Sequence, residues 1–352
     1  MKRILICCDY MAPYEGNFIS SVKALEASLR KRYEIVYMFP MGNNPDFIEW
    51  FDAFCRTRKV LTYRPLDYNF VKKECSKDYD LIYLHFYSMN FARTLSAINP
   101  DKKIVLHGHH KPILKRWRAV IEYLKSLGKR YKNLYVISCS RGVQKAYSLM
   151  VKPSHVYLSA NCIDFNRIDR LAEISKKQKN NKDFVISMYG GEMFTKGVDI
   201  ACKAIQKINN KKIKLQIYCS HNLEENTKEL RTYFPDCNAQ ILSYCINPCD
   251  VYLNSDIFIA PSRFEGFNYS ILECIYCGTP VIASNLKEHR HRDCPYLFFK
   301  NKRSDSLAKS ILKIFNGDKV TIDKDKIREE HDIKNWVLRT SKIIDSIFED
   351  TK

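Results

Sequence analysis

The stretch DIFIAPSRFEGFNYSILECIYCGTPVIASN, residues 256–285, carries the pattern that decides the fold. Its short apolar run at 257–260 predicts a fully buried strand. Residues 270–277 predict a buried helix, because Gly278 and the proline that soon follows it are typical of a helix end. A second apolar run at 281–283 predicts another strand. The sequence therefore favours a strand–loop–helix–strand unit.

Two carboxylates lie inside this unit, eight residues apart. Glu265 is predicted in the loop at the carboxyl end of a strand, and Glu273 about one turn into the helix. Ligands of open α/β sheets bind in the crevice at the carboxyl ends of strands. The neighbours of Glu273 in sequence are apolar, so its charge needs a partner, and a ligand hydroxyl is one that would serve.

The pattern resembles the retaining glycosyltransferases of family 4. The resemblance lies in PSRFEGF at 261–267, in Glu273 eight residues after Glu265, and in CGTPVIAS at 277–284. It implies the GT-B fold: an α/β protein with two Rossmann-like, doubly wound parallel-sheet domains that face a cleft. It also implies that the last helix crosses back to the first domain.

Strand-like runs alternate with helical patterns along the whole chain, as expected for parallel, doubly wound sheets. We expect an acceptor-side Rossmann-like domain at 1–165 and a nucleotide-sugar-binding domain at 166–334. Residues 335–352 are expected to form a helix that packs on the first domain. The polar stretch 166–183 has the composition of an interdomain linker.

Composition limits the class of protein. The 352 residues are 45% hydrophobic and 28% charged, as in soluble globular chains. No apolar run of 18 residues or more is present, which predicts a cytoplasmic protein whose 14 cysteines are packed thiols. Cys274 and Cys277 have no second pair at zinc-ligand spacing. The net charge of +19 favours anionic partners: phosphorylated substrates, a membrane surface or nucleic acid.

The glycine turn GGEMFTKG at 190–197 follows a predicted strand and opens a helix, an arrangement that binds anions through free backbone N–H groups. Lys196 adds a mobile positive charge. The resemblance implies that Lys196 grips the donor diphosphate. Gly191 stands where the family has a second gripping residue, an arginine. Arg263 is a candidate to replace that arginine, and a solvated loop position is the alternative.

The resemblance implies two further contacts from the first domain. Gly16 would let the backbone of YMAPYEGNF, residues 10–18, approach the donor phosphates. His107, first in HGHH at 107–110, would contact the transferred sugar or the acceptor, and His85 ends the preceding strand in another frequent family position. A metal site within HGHH is the alternative, disfavoured because alternating loop positions converge poorly.

The resemblance also implies how the donor, a nucleotide-diphosphate sugar, is bound. Glu273 would accept hydrogen bonds from the ribose, and Glu265 would hold hydroxyls of the donor sugar. The donor-binding residues around these two carboxylates would be Gly266, Phe267, Asn268 and Tyr269. The family uses no metal, so Asp323 and Asp325 are interpreted as solvated surface. The departing phosphate would act as the base, with retention at the transferred sugar.

Residues 102–132 hold ten lysines and arginines and a single acid, Glu122. A solvated basic face is the simpler interpretation. The functional alternative is peripheral contact with an anionic membrane, where a glycan or lipid-linked acceptor for cell-surface polysaccharide or lipopolysaccharide synthesis would lie.

Three other functions are weighed against a retaining glycosyltransferase. A nucleotide-sugar epimerase shares the GT-B fold. A non-catalytic partner subunit is suggested by Gly191. A nucleic-acid-binding protein is suggested by the charge, but no helix-turn-helix, zinc-finger or RNP pattern is present, so no nucleic-acid partner is expected.

Overall fold

The computed structural model describes two compact units of the chain. The first comprises Met1–Cys162 with Asp332–Lys352, and the second comprises Ile163–His331. The residues that are described are 1–10, 12, 15–40, 48–110, 112, 131–176, 182–290 and 297–350. Every structural statement below refers to these residues.

The first unit is built on a parallel sheet whose seven described strands are ordered β3-β2-β1-β4-β5-β6-β7. The central strands read as continuous apolar runs, as expected when helices cover both faces of a sheet. The strands are β1 (Lys2–Cys8), β2 (Tyr33–Pro40), β3 (Val60–Tyr63), β4 (Leu81–His85), β5 (Lys103–Gly108), β6 (Leu134–Ser138) and β7 (Val156–Leu158). The helices between them are α1 (Gly16–Leu29), α2 (Ile48–Cys55), α3 (Tyr68–Cys75), α4 (Met89–Ile98) and α5 (Arg141–Tyr147), with a 3-10 turn at Pro153–His155.

Side-chain caps fix where several of these helices begin. Asp67, Ser88 and Ser140 each accept a hydrogen bond from a backbone N–H in the first turn of α3, α4 and α5. Such a bond satisfies one of the donors that a helix start leaves unpaired. The short polar residues in the loops therefore place the helix starts next to the carboxyl ends of the strands.

The second unit repeats the same plan with a parallel sheet of six described strands, ordered β10-β9-β8-β11-β12-β13. Its strands are β8 (Phe184–Tyr189), β9 (Ile213–Cys219), β10 (Ala239–Ser243), β11 (Ile257–Ala260), β12 (Val281–Ser284) and β13 (Leu297–Phe299). Its helices are α6 (Phe165–Glu173), α7 (Met193–Lys196), α8 (Val198–Ile208), α9 (Leu223–Tyr233), α10 (Pro248–Tyr252), α11 (Tyr269–Tyr276), α12 (Ser304–Phe315) and α13 (Lys324–His331), with a 3-10 turn at Lys287–His289.

The last helix, α14 (Ile333–Glu349), belongs to the first unit and packs on α1. Trp336, Ile344 and Ile347 lie in the same apolar core as β1 and β2. Asp345 holds this helix in place by accepting hydrogen bonds from the hydroxyl of Tyr33 at 2.7 Å and from Arg32 at 3.1 Å.

The predicted α/β class with two doubly wound parallel sheets is confirmed, and so is the strand–loop–helix–strand unit, now β11, α11 and β12. The predicted linker at 166–183 is wrong over its first half, since Phe165–Glu173 is helix α6. Phe165 and Ile168 are each 1% exposed, and they anchor this helix in the second unit. The composition of this segment suggested a linker because helix α6 has only a narrow apolar stripe, and the residues around it are charged.

Most of the basic segment 102–132 lies outside the described residues. Asp325 lies in α13 and is exposed, as is Asp323 just before that helix, in agreement with a surface position. Within the described residues, no helix is both long and apolar enough to cross a membrane.

Candidate functional site

The second unit has its topological switch point between β8 and β11. These two strands are hydrogen-bonded neighbours, while the strands after them run outward in opposite directions, to β9 and to β12. The loops that leave β8 and β11 therefore diverge and open a crevice at their carboxyl ends, where ligands of such sheets bind. The glycine turn 190–197 follows β8, and the loop 261–268 follows β11.

A charged pair joins these two loops. Nζ of Lys196 lies 2.6 Å from Oε1 of Glu265, whose side chain is only 8% exposed. The same oxygen accepts hydrogen bonds from the hydroxyl of Ser262 at 3.0 Å and from the amide of Asn268 at 3.3 Å. Three donors thus converge on Oε1, which orients the carboxylate.

The glycine turn approaches the β11 loop very closely. Gly197 has a φ of 73°, and a Cβ atom there would lie 2.2 Å from the carbonyl oxygen of Pro261, so only glycine fits. Gly190 is packed against Ile217, which a Cβ would meet at 2.4 Å. Gly191 differs from both, because a Cβ there would meet no atom within 4 Å. The position where the resemblance expects an arginine therefore has open space beside it.

Arg263, a candidate for contact with the donor diphosphate, is paired with an acidic side chain of the protein. Its guanidinium makes two hydrogen bonds with the carboxylate of Asp199, at 2.7 and 2.8 Å, and lies 4.1 Å from the ring centroid of Phe194. The pKa of Asp199 is lowered, since these hydrogen bonds and the positive charge outweigh its burial. Because Arg263 is already paired, the structure gives no support to its taking the place of the missing arginine.

Glu273 lies in α11, 5% exposed, with two partners of its own. Its Oε1 accepts a hydrogen bond from Arg167 of α6 at 2.6 Å, and its Oε2 accepts one from the hydroxyl of Tyr252 of α10 at 2.9 Å. The partner required by its burial is therefore supplied by the protein. Contact with a ribose stays a prediction.

The remaining predicted donor-binding residues occupy the start of α11. Phe267 is 9% exposed and packs edge to face on Tyr269, with ring centroids 5.1 Å apart. Asn268 is the residue that precedes the first turn of the helix, and its side chain is used on Glu265 rather than as a cap. Gly266 lies between Glu265 and Phe267, in the loop that precedes α11. The segment is thereby held in one arrangement.

Sequence reasoning missed His289, which is fully buried just after β12. Its Nδ1 lies 2.9 Å from the carbonyl oxygen of Ser284, to which it donates, and its Nε2 has no hydrogen-bond partner among the described residues. Burial lowers the pKa of the His289 ring. The negative charge of Glu265 opposes this shift, and the positive charge of Lys196 adds to it. A histidine shortly after a core strand of the signature region was the available signal. Its contacts are with the carbonyl oxygen and the hydroxyl of Ser284, and no motif reveals them.

The first unit contains the other two predicted site residues. Gly16 begins α1 with a φ of 59°, a left-handed conformation that favours glycine. His107 lies near the end of β5, 2% exposed, with its Nδ1 at 2.6 Å from the hydroxyl of Tyr83. Burial lowers its pKa to about 4, with a smaller opposing effect from Asn161. The ring is therefore neutral at pH 7.

The comparisons agree with this architecture. Residues 184–317 match the model of the family Glycosyl transferases group 1. No curated protein sequence matches the chain at a significant level. In its fold the chain is similar to Anabaena HepE, whose structure was solved with UDP and glucose, with a TM-score of 0.76 and 14% identity over 98% of this chain and 100% of that one.

Two more solved structures share the fold along the full length. One is a glycosyltransferase from Rickettsia africae, with a TM-score of 0.75, 13% identity and coverage of 99% of each chain. The other is sucrose-phosphate synthase from Thermosynechococcus elongatus, with a TM-score of 0.70, 14% identity and coverage of 100% of each chain. The chain thus has the GT-B fold, and its residues 184–317 carry the sequence pattern of the group 1 glycosyl transferases.

Proposed function

We propose that this protein is a retaining glycosyltransferase that moves a sugar from a nucleotide-diphosphate sugar to a glycan or a lipid-linked acceptor. The observation that carries the proposal is the Lys196–Glu265 pair at the β8/β11 switch point, next to the glycine turn. This site offers a cation for a diphosphate and a carboxylate for sugar hydroxyls.

The chemistry follows from the charge that develops as the glycosidic bond breaks. Negative charge grows on the departing diphosphate, and a fixed cation near it lowers the barrier. Lys196 would supply that cation when the donor displaces its contact with Glu265. We therefore propose a reaction in which Lys196 and the glycine turn, rather than a metal ion, neutralise the leaving group. The departing phosphate would take the proton of the acceptor hydroxyl.

The test is a transfer assay with a panel of nucleotide sugars, in which released nucleoside diphosphate and the configuration of the product sugar are both measured. We expect release with one class of donor and an unchanged anomeric configuration. Lys196→Met and Glu265→Gln should each abolish most of the release. Inversion of the sugar would contradict the retaining mechanism, and release unaltered in both variants would contradict the site.

A non-catalytic partner subunit is the second candidate, favoured by glycine at position 191. It predicts that Glu265→Gln leaves transfer unchanged in the assembled system of which the chain is part.

Synthesis of cell-surface polysaccharide or lipopolysaccharide is the pathway class that we propose for the glycosyltransferase. Contact of the basic segment 102–132 with the inner face of the membrane would hold the enzyme beside a lipid-linked acceptor.

A further inference from the structure

Three buried histidines come together at the carboxyl edge of the sheet in the first unit. His85 ends β4 and His107 lies on β5, and the register of the two strands places them directly side by side. His109 follows β5 and returns to the same place. One ring nitrogen from each residue lies within 4.8 Å of the other two. The cluster differs from the HGHH motif, since His110 is exposed and takes no part in it.

The distances suit a metal ion that is bound by nitrogen. Three ligand atoms at the corners of a triangle with 4.8 Å sides leave a centre less than about 3 Å from each, whereas Zn–N bonds measure about 2.0–2.1 Å. The rings of His107 and His109 are stacked, with centroids 4.4 Å apart and planes at 26°. Each nitrogen would have to move by less than about 1 Å toward the centre of the triangle to reach that bond length.

The nitrogens of this cluster are poorly satisfied without a further partner. Nε2 of His85 and Nε2 of His107 are both buried and make no hydrogen bond of good geometry among the described residues; the side chain of Asn161 is a polar neighbour of His107. Nδ1 of His85 and Nε2 of His109 contact each other at 3.0 Å. Buried polar atoms normally have partners, so these two nitrogens are available to a ligand such as a metal ion.

The surroundings fix the rings in the way that metal ligands require. The hydroxyl of Tyr83 contacts Nδ1 of His107 at 2.6 Å, which leaves Nε2 of that ring as the free nitrogen. The ring of Phe86 stacks on His109 with centroids 4.0 Å apart. Phe86 has a φ of 68°, a conformation rare for a bulky residue, and such strained positions concentrate at functional sites.

We propose that His85, His107 and His109 form a binding site for a borderline divalent transition-metal ion, with Zn²⁺ as the representative. Neutral imidazole is a good ligand for Zn²⁺, Co²⁺ and Ni²⁺. The inference does not rest on the proposed function, and the site lies in the other unit from Lys196 and Glu265.

The test is titration of the chelator-treated, full-length protein with Co²⁺ and with Zn²⁺. Co²⁺ is followed by its visible d–d absorption and Zn²⁺ by calorimetry. We expect one equivalent per chain. His85→Gln and His109→Gln should each weaken binding at least about tenfold, and Tyr83→Phe, which removes only the hydroxyl that orients His107, should weaken it about 10- to 100-fold. The matched control is His221→Gln, an exposed histidine of the second unit, which should leave the affinity unchanged.

The chain also has many thiols, and cobalt bound to a thiolate shows an additional charge-transfer absorption in the near ultraviolet. Binding that shows this absorption and is unaltered in the His85 and His109 variants would overturn the proposal, and so would no binding to the wild-type protein. In either case the three rings would be a neutral stack that stabilises the sheet edge. Circular dichroism of each variant establishes that lost binding is not lost folding.

Discussion

Lys196 Nζ and Glu265 Oε1 lie 2.6 Å apart across the loops that follow β8 and β11. The contact joins two strands that are neighbours in the sheet but about 70 residues apart in sequence. It places a paired lysine and an oriented carboxylate at the switch point of the second unit. A diphosphate and a sugar hydroxyl would each find one of the two groups there.

The first prediction concerns this pair. Glu265→Gln keeps the shape of the side chain but removes its charge, and Lys196→Met removes the cation. If both groups act on the reacting donor, each substitution should lower kcat by about 10²- to 10³-fold, as for loss of one electrostatic contact in a transition state. The measurement is the rate of nucleoside diphosphate release.

A matched control for Lys196→Met is Lys203→Met, in the same unit. The side chain of Lys203 is 58% exposed, and its Nζ comes no nearer than 3.9 Å to the carboxylate of Asp199. That variant should keep the wild-type rate. Equal losses in the two lysine variants would show that general positive charge, not the position of Lys196, sets the rate.

The second prediction uses the open space at Gly191. Gly191→Arg should fold normally, because a Cβ atom there meets no neighbouring atom within 4 Å. If the turn holds a diphosphate, the added guanidinium should contribute about 1.5–3 kcal/mol as a charge-assisted hydrogen bond, so nucleoside diphosphates should bind tenfold tighter or more. Calorimetry with the nucleoside diphosphate measures the change.

Two neighbouring glycines provide the contrast for this substitution. Gly197→Ala combines a left-handed backbone with a Cβ that lies 2.2 Å from the oxygen of Pro261, and should cost about 1–2 kcal/mol or more of stability. Gly190→Ala should also destabilise, through its contact with Ile217. A Gly191→Arg protein that folds but binds diphosphate no better would argue against phosphate binding at this turn.

The third prediction concerns the buried pair of Glu273 and Arg167. Their side chains are 7% and 13% exposed, so removal of one partner leaves a charge with little access to water. Glu273→Ala should lower the free energy of unfolding by about 3–5 kcal/mol. Chemical denaturation of the variant measures this loss, separately from any loss of activity.

The control for this loss is an exposed ion pair in the same unit. Lys214, whose side chain is 49% exposed, lies 2.7 Å from Asp183. Lys214→Ala should cost about 1 kcal/mol or less, as surface pairs usually do. If Glu273→Ala costs no more than that, the carboxylate is not held by the protein, and its main role would be with the ligand.

The fourth prediction is a pH dependence from His289. Burial lowers the pKa of this ring below its unfolded value of about 6.5, so the folded protein binds fewer protons there than the unfolded chain does. Its contribution to stability is therefore fully present above the unfolded pKa and is lost as the pH falls below about 6.5, with a slope of at most about 1.4 kcal/mol per pH unit.

Denaturation curves of the wild type and of His289→Gln, measured at pH 7 and at pH 5, check this sign. The free energy of unfolding should fall less between pH 7 and pH 5 in the variant, because the variant lacks the histidine whose protonation is unfavourable in the folded state. A loss that is equal in the two proteins would show that His289 titrates normally. Glutamine retains a side-chain N–H donor for the carbonyl oxygen of Ser284, which limits structural damage.

The sequence was sufficient for the parts of the structure that depend on local pattern. Residues 257–260 and 281–283 are strands because runs of apolar, mostly branched residues fill the centre of a parallel sheet. The helix at 269–276 follows from the apolar residues around Glu273. Lys196 and Glu265 were both predicted as site residues, since each belongs to a motif of contiguous residues, and the structure brings them into contact.

What the sequence did not reveal depends on contacts between distant residues. Arg167 reaches Glu273 across 106 positions, and nothing near Arg167 in sequence indicates an acidic partner. Arg263 pairs with Asp199 because the loop folds over α8, a direction that loop sequence does not fix. His85 and His107 lie side by side through the register of β4 and β5, which spacing along the chain cannot show.

The most direct test of nucleotide-sugar binding at this site is the thermal unfolding of the purified protein against a panel of nucleotides and nucleotide sugars. A ligand present at 100 times its dissociation constant should stabilise the protein by about 2.7 kcal/mol, which raises the unfolding temperature measurably. We expect a rise with one nucleotide class that is lost in Lys196→Met and in Glu265→Gln. No rise with any nucleotide sugar, or a rise retained in both variants, would contradict it.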